Sequence, residues 1–192
     1  MMKKIISFAL AMVMVLSMVA CGNSNNNEET TTEENGPASA LEVLETIWGS
    51  YKDDEKFPVM GGDYDNMVDS APGAFDATNT DNLTAMLLVP ADKAANVKEA
   101  ASLFHGMNFN NFTCGVFGLA DGVEAKAFAE TMQAAIQGNM WMCGFPDKLV
   151  IANVGGYVLV SFGVNDAINP FEAKLTAAYP NAEILYSEAV QG

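Results

Sequence analysis

The stretch KLVIANVGGYVLVSF, residues 148–162, carries the strongest indication of fold in this chain of 192 residues. Two runs rich in β-branched and aromatic residues flank a pair of glycines, Gly155 and Gly156. Glycine tolerates the positive φ that tight hairpin turns require. The stretch therefore predicts a β-hairpin.

The segments around this hairpin extend it into a regular order of elements. Residues 112–119 form an apolar run that predicts a strand, and an apolar stripe at helical spacing follows it and ends at Gly138. After the hairpin, 165–179 predicts a second helix and 182–187 a last strand. The order strand, helix, strand, strand, helix, strand is that of the ferredoxin-like superfold. We expect right-handed crossovers with both helices on one face of the sheet.

The residues before 112 predict further elements. A capping box formed by Ser39 and Glu42 predicts an N-terminal helix. Residues 52–82 predict a long irregular loop, 83–89 a strand and 90–104 a helix. The predicted fold class is therefore α+β: a ferredoxin-like βαββαβ core at about 112–187, with an N-terminal helix and one extra β-α unit packed on it.

The start of the chain resembles an export signal. Lys3 and Lys4 precede a 15-residue apolar segment, 5–19, which is too short for a full bilayer span. The segment ends in SMVACG, which resembles the lipobox of bacterial lipoproteins. That resemblance implies cleavage before Cys21 and a lipid on the Cys21 thiol. An ordinary secretory signal or an uncleaved anchor with a chance cysteine is the alternative.

The predicted domain organisation has three parts. Residues 1–20 are a lipoprotein signal peptide, 21–38 are the lipidated cysteine with a flexible tether rich in Asn, Glu and Thr, and 39–192 are a single α+β domain. Two or more acyl chains on one residue anchor a protein stably. The expected location is the outer face of the bacterial cytoplasmic membrane.

The charge of the chain is strongly acidic, with 9 Lys plus Arg against 24 Asp plus Glu. All nine basic residues are lysine, so the bidentate forks and the basic field that bind phosphate are lacking, which argues against nucleic-acid binding. The negative potential predicts instead a cationic peptide as partner, or an export complex. The acidic 52–82 loop is the expected contact region, with Phe57, Tyr64 and Phe75 as apolar anchors.

The remaining cysteines, Cys114 and Cys143, lie 29 positions apart. Exported proteins favour disulfides, so a Cys114–Cys143 bond is one interpretation and two free thiols the other. The stretch WMCGFP around Cys143 has residue types of a thioredoxin site but lacks the second, resolving cysteine.

Other catalytic and metal-binding patterns are lacking. His105 is the only histidine, and a structural role is expected for it. Asp63 and Asp65 begin like a calcium loop, but the later EF-hand positions do not match. The methionines of the domain are interpreted as core packing. No catalytic residue, metal site or cofactor is predicted.

Several segments together resemble a known group of proteins: residues 40–49, KF at 56–57, APGAF at 71–75, NFTCG at 111–115 and WMCGFPDKLV at 141–150. They resemble small Gram-positive lipoproteins of unknown function, some of them labelled bacteriocin transport accessory protein. The resemblance covers roughly 40–190 and implies a lipid-anchored extracytoplasmic protein with an α+β domain. Accessory proteins of that name elsewhere are thioredoxin-like, and this chain lacks the Cys-x-x-Cys.

The expected function is that of a non-enzymatic accessory or binding module, linked to peptide (bacteriocin) export. Two alternatives remain open at this point. One is a thiol-based or hydrolytic surface enzyme, and the other is a small solute receptor of a transporter.

Overall fold

The hairpin predicted at 148–162 is present in the structure, a computed structural model that describes residues 36–191. Strands β6 (Lys148–Val154) and β7 (Tyr157–Gly163) pair antiparallel from Lys148 with Gly163 to Val154 with Tyr157. The turn glycines have φ values of 58° and 96°, the positive values that the two-residue turn requires.

The elements form one sheet with helices on both faces. The helices are α1 (Ala40–Gly49), α2 (Thr80–Leu87), α3 (Ala125–Gln137) and α4 (Asn165–Ala178). The other strands are β1 (Val59–Gly61), β2 (Val68–Asp69), β3 (Gly73–Phe75), β4 (Val97–His105), β5 (Phe112–Leu119) and β8 (Glu183–Ala189). Two 3-10 turns lie at Ala91–Asn96 and Phe109–Asn111. The α+β class is confirmed.

The eight-stranded sheet has the order β2-β1-β4-β5-β7-β6-β8, with β3 also paired to β4, and every pairing is antiparallel. From β5 onwards the predicted strand-helix order is confirmed. The placement of the last strand differs from the ferredoxin-like arrangement, where it pairs with the first strand. Here β8 pairs with β6, and β4 takes the place beside β5.

This placement decides on which face each helix lies. The crossover from β5 to β6 and the crossover from β7 to β8 step in the same direction across the sheet, but β5 and β7 run in opposite directions. Two crossovers of the same hand must then use opposite faces. Accordingly α3 packs with α2 on one face, and α4 packs with α1 on the other. The expectation of both helices on one face was wrong.

Two hydrophobic cores result, one on each face. Alternate residues of the central strands face each core: Val150 and Ala152 point to the α1 and α4 side, Leu149 and Ile151 to the α2 and α3 side. All four are fully buried. Burial on both faces explains why the hairpin strands are nearly continuous apolar runs.

The extra β-α unit has the reverse order in the structure. Residues 80–87 form α2 where a strand was predicted at 83–89, and β4 covers most of the helix predicted at 90–104. The Asn79 side chain caps α2 by accepting from the Asn82 amide at 3.1 Å. Short apolar runs fit a buried helix and a buried strand equally. Here the Asn79 cap favours the helix α2, and pairing with β5 favours the strand β4.

The 52–82 region is not the irregular loop that was predicted, since β1, β2, β3 and the start of α2 lie in it. Two parts of this region pass so close to each other that a Cβ added at Gly61 would lie 2.2 Å from the Gly73 nitrogen. The Asp63 carboxylate is buried there and accepts from the backbone amides of Asp65, Asn66 and Asp76 at 2.9, 3.0 and 2.8 Å. Asp63 therefore stabilises the backbone of this region and has a structural role.

The helix α1 and its Ser39 cap are confirmed, but Glu42 reaches back to the Ala38 amide and not to the Ser39 amide that a capping box uses. The Ser39 hydroxyl accepts from the Glu42 amide at 3.0 Å, and the Glu42 carboxylate accepts from the Ala38 amide at 2.6 Å. Farther on, α4 begins at Asn165, whose amide donates to Asp147, and Pro170 lies inside the helix.

The predictions of a signal peptide at 1–20 and lipidation at Cys21 fall outside the described residues, as do residues 21–35 of the tether predicted at 21–38. Its last residues, 36–38, pack on the domain, so the flexible tether was wrong for them. Among the helices within 36–191, none combines the length and apolar character that a bilayer crossing needs.

Candidate functional site

The sheet has two ends, and two loops meet at one of them. We call the β6–β7 turn at Gly155 and Gly156 the hairpin end. We call the opposite end the far end. There β4, β7 and β8 end, and β5 and β6 begin. The segments 106–111 and 138–147 connect elements there.

Asparagine side chains join these two loops. The Asn108 side-chain amide donates to the Cys143 backbone oxygen at 2.8 Å. The Asn110 amide donates to the Met142 and Gly144 backbone oxygens at 2.7 and 3.1 Å. Asparagine supplies two donors from one short side chain, which suits this bridging of carbonyls. The 138–147 loop is thereby held in one conformation, with left-handed backbone at Cys143 (φ 62°).

An exposed apolar surface covers this end. We define the far-end surface as Met107, Met140, Met142 and Phe145, whose exposed fractions are 85%, 90%, 78% and 44%. These are four of the seven large apolar side chains that are exposed within 36–191. A group of exposed apolar side chains is typical of a region that binds another molecule, and methionine adapts well to different partners.

A cleft of about 300 Å³ opens beside this surface. Its lining combines apolar residues with polar but uncharged ones: Ala85, Met86, Leu88, Phe109, Asn110, Thr113, Asn139, Met140, Trp141, Met142 and Phe162. The volume lies at the lower limit of ligand-sized cavities. The cleft therefore suits one or two apolar side chains of a partner.

Trp141 connects the cleft to the core. Its ring lies 5.1 Å from Phe162 and 6.3 Å from Phe145, measured between ring centroids. Its indole Nε1 is buried and has no hydrogen-bond acceptor among the described residues. An unsatisfied buried donor costs about 1–3 kcal/mol. The packing of Trp141 must therefore outweigh the free-energy cost of its unsatisfied indole N–H.

The two cysteines are free thiols in the structure, so the disulfide expected as one interpretation is not formed there. Cys114 is fully buried in β5 and belongs to the core beneath α1 and α4. Cys143 is exposed within the 138–147 loop, where Trp141 packs on the opposite core. Burial raises the pKa of the Cys114 thiol well above its ordinary value, which makes it unreactive.

The three residues expected to contact a partner do not act together. Phe75 is buried in β3. Phe57 is half-buried and packs edge-on against Trp48 and Phe112, with centroid distances of 5.4 and 5.3 Å. Tyr64 alone is exposed, at 56%. Phe75 was therefore wrong as an anchor, because its strand turns it into a core, whereas Phe57 and Tyr64 stay predictions.

His105 closes β4 and has a structural role. Its ring stacks on Phe57 at 5.8 Å, and its Nδ1 accepts from the backbone amides of Met107 and Asn108 at 3.2 and 3.4 Å. The histidine thus shapes the turn that presents Met107. Within the described part of the chain, no group of three or more His, Cys, Asp and Glu side chains is arranged to hold a metal ion.

The acidic residues of 36–191 are mostly free of cationic partners. The seven lysines of this range face 20 Asp and Glu residues, and five ion pairs engage Lys56, Lys93, Lys98, Lys148 and Lys174. At the far end, Asp147 and Asp166 are exposed. The field around the domain is therefore negative.

The far-end surface was missed from the sequence because its methionines were interpreted as core packing. That interpretation holds for Met86 and Met132, which are buried, and fails for Met107, Met140 and Met142. Two signals were available: a methionine on either side of Trp141, and asparagine clustering at 108–111.

No family model, curated protein or solved structure matches this chain.

Proposed function

We propose that this protein is a lipid-anchored extracytoplasmic lipoprotein that acts as a non-enzymatic binding or accessory module, linked to peptide export. The far-end surface is its binding region. The proposal has two parts, an anchor and a binding module. Each rests on a different observation and each has its own test.

The anchor rests on the sequence before the domain. A cationic start, a 15-residue apolar segment and the sequence VACG around Cys21 form the order that lipid modification requires. A diacylated cysteine would hold the acidic domain at the outer face of the cytoplasmic membrane through the segment that follows.

Metabolic labelling with palmitate tests the anchor. Labelled palmitate should enter the wild-type protein and disappear from Cys21→Ala, which should also accumulate as the unprocessed precursor. The matched control Cys143→Ala should keep its label, since Cys143 lies in the folded domain. Equal labelling of Cys21→Ala and the wild type would refute lipidation at Cys21.

The exposure of Met107, Met140, Met142 and Phe145 around an apolar cleft is the observation that supports a binding module. A domain that worked only as a spacer would gain nothing from exposing these side chains, and each exposed apolar side chain favours aggregation. Two asparagine side chains hold the loop that presents Met142, so the region is pre-organised for contact.

The link to peptide export rests on the resemblance to small Gram-positive lipoproteins, some of them labelled bacteriocin transport accessory protein. Photo-crosslinking in intact cells tests it. A photo-reactive amino acid in place of Met140 should give an adduct with a secreted peptide or an exporter component, whereas the same replacement of Met67 should give none. Adducts that are the same at both positions would refute a specific partner at the far end.

A thiol-based activity is the second candidate, and one observation favours it. The Cys143 thiol is exposed, as a nucleophile must be to reach a substrate. Turnover of thioester or disulfide substrates that Cys143→Ser abolishes would favour the enzyme. The same turnover in Cys143→Ser and the wild type would exclude Cys143 as a nucleophile.

A further inference from the structure

The chain enters the domain at the hairpin end. Pro37 packs on the β6–β7 turn so closely that a side chain at Gly155 would meet its Cδ at 2.4 Å. The Tyr157 hydroxyl donates to the Ala38 oxygen at 3.2 Å, and the Ala40 amide donates to Glu99 at 2.8 Å. Residues 36–40 are therefore fixed at the hairpin end.

The far-end surface lies at the other end of the same strands. The seven residues of β7 join the two ends, and a strand of that length spans roughly 20 Å. The chain that follows Cys21 thus enters the domain at the end away from the far-end surface. The excess of carboxylates opposes the approach of this surface to anionic lipid.

The charge of the domain argues against a second copy as the occupant. A homodimer through the far end would bring together two domains with a large excess of carboxylates, among them the exposed Asp147 and Asp166 at that end. Like charges across an interface oppose association. The nearby Lys148 does not offset them, because Glu172 already engages its ammonium.

We propose that the far-end surface binds a basic amphipathic peptide. One or two large apolar side chains of the peptide fill the cleft beside Trp141, and Met107, Met140, Met142 and Phe145 cover the rest of its apolar face. The lysine or arginine residues of the peptide meet Asp147, Asp166 and the negative field around them. This inference rests on the proposed function and names the partner class of the same surface.

Each part of the cleft fits such a peptide. A volume of about 300 Å³ accommodates side chains rather than a whole cofactor-sized molecule. Unbranched methionines adapt to different apolar sequences, so the surface can accept peptides of varied composition. The polar residues of the lining, Asn110, Thr113 and Asn139, are uncharged, so charge selection falls to carboxylates outside the cleft.

Methionine methyl NMR with a set of peptides tests the proposal. Every buried core residue of the structure lies within 40–190, so the chain from residue 21 onwards with Cys21→Ser keeps the complete core and serves as a soluble sample. It contains seven methionines, three of them on the far-end surface. The probe is a synthetic 18-residue amphipathic peptide of leucine and lysine. Two comparison peptides replace leucine by serine, or lysine by glutamate.

The leucine-lysine peptide should shift the methyl signals of Met107, Met140 and Met142 and leave Met67 and the core residue Met132 in place. Its affinity should fall about tenfold in the double variant Met140→Ser/Met142→Ser, since apolar contacts at an interface centre carry much of the binding. The matched control Met67→Ser should bind like the wild type. Binding should also weaken as salt rises, because the charges are screened.

Three results would overturn the inference. The serine-lysine peptide could bind as tightly, which would make the contact purely electrostatic. The leucine-glutamate peptide could bind as tightly, which would remove the charge selection. Shifts confined to other methionines would place the binding site elsewhere on the domain. A doubling of molecular mass without peptide would show that a second copy of the chain occupies the surface. Failure of the palmitate experiment would refute the anchor and leave peptide binding untouched. A failure of the proposed anchor can therefore be distinguished from a failure of this inference.

Discussion

The side-chain amide of Asn110 donates to the backbone oxygen of Met142 at 2.7 Å and so ties the start of β5 to the exposed loop of the far-end surface. A second bond from the same amide reaches Gly144. Two bonds from one side chain make Asn110 the main polar support of the loop at 138–147.

Asn110→Ala should therefore loosen this loop. Without the two donors we expect amide hydrogen exchange at 140–145 to quicken at least tenfold, and the free energy of unfolding to fall by about 1–2 kcal/mol. Hydrogen-exchange mass spectrometry measures the first, and urea denaturation the second. Asn139→Ala is the matched control, since the Asn139 side chain makes no hydrogen bond within 36–191. Equal exchange in both variants would contradict this role for Asn110.

Trp141 should tolerate phenylalanine better than alanine. Trp141→Phe keeps the contact with Phe162 and removes the buried Nε1–H that lacks an acceptor. We expect its unfolding free energy to stay within about 1 kcal/mol of the wild type, and that of Trp141→Ala to fall by about 2–4 kcal/mol. Thermal and urea denaturation of both variants measure this. If Trp141→Phe were as damaging as Trp141→Ala, the indole nitrogen would have a partner.

The two thiols should differ sharply in reactivity. In the chain from residue 21 with Cys21→Ser, one thiol should react with a disulfide reagent in native protein, and two in denaturant. Cys143 is exposed, whereas burial of Cys114 raises the pKa of its thiol and blocks access. In Cys143→Ser the native count should be zero. No free thiol after denaturation without reductant would show that the Cys114–Cys143 bond forms.

The ion pair between Lys148 and Glu172 should make the free energy of unfolding depend on pH in the acidic range. Burial alone raises the pKa of Glu172, but hydrogen bonds from Lys148 and Ser187 hold the pKa below its ordinary value. A carboxylate with a lowered folded-state pKa adds stability above its unfolded pKa, about 4.3, and loses it as the pH falls through the folded pKa.

Glu172→Gln should therefore be less stable than the wild type at pH 7, and the difference should shrink between about pH 5 and pH 3. The midpoint of urea denaturation across this range measures it. Lys148→Gln leaves the Glu172 carboxylate with burial but without its ammonium, so this variant should also lose the stability that ionised Glu172 adds in the wild type at pH 7. A constant difference between wild type and Glu172→Gln at all pH values would contradict a lowered pKa.

Asp63 should be more important for stability than any neighbouring acidic residue. Asp63→Asn keeps one carbonyl oxygen and should cost about 1–2 kcal/mol, whereas Asp63→Ala leaves three backbone amides without their acceptor and should cost about 3 kcal/mol or more. Asp65→Ala is the matched control, because Asp65 is exposed, and should change stability by less than about 0.5 kcal/mol. Similar losses in all three variants would refute this function of Asp63.

Local pattern was enough for the elements from 112 onwards and for α1. The hairpin glycines, the Ser39–Glu42 box and the stripe of α3 each act through neighbours three or four residues away or across a two-residue turn. Such signals survive without knowledge of the fold, and the elements they predict are present in the structure. The reversed assignment at 83–104 arose because a short apolar run fits a buried helix and a buried strand equally, and the Asn79 cap that marks α2 lies before the run.

What the sequence by itself determined is the α+β class, the βαββαβ order and the acidic charge of the domain. Tertiary structure alone decided which helix lies on which face, because that depends on the edge at which β8 joins the sheet. It also decided exposure: Phe75 and Met140 are both apolar, yet one completes a core and the other faces solvent. Burial is a property of the packed whole, and it is set by contacts between residues distant in the chain.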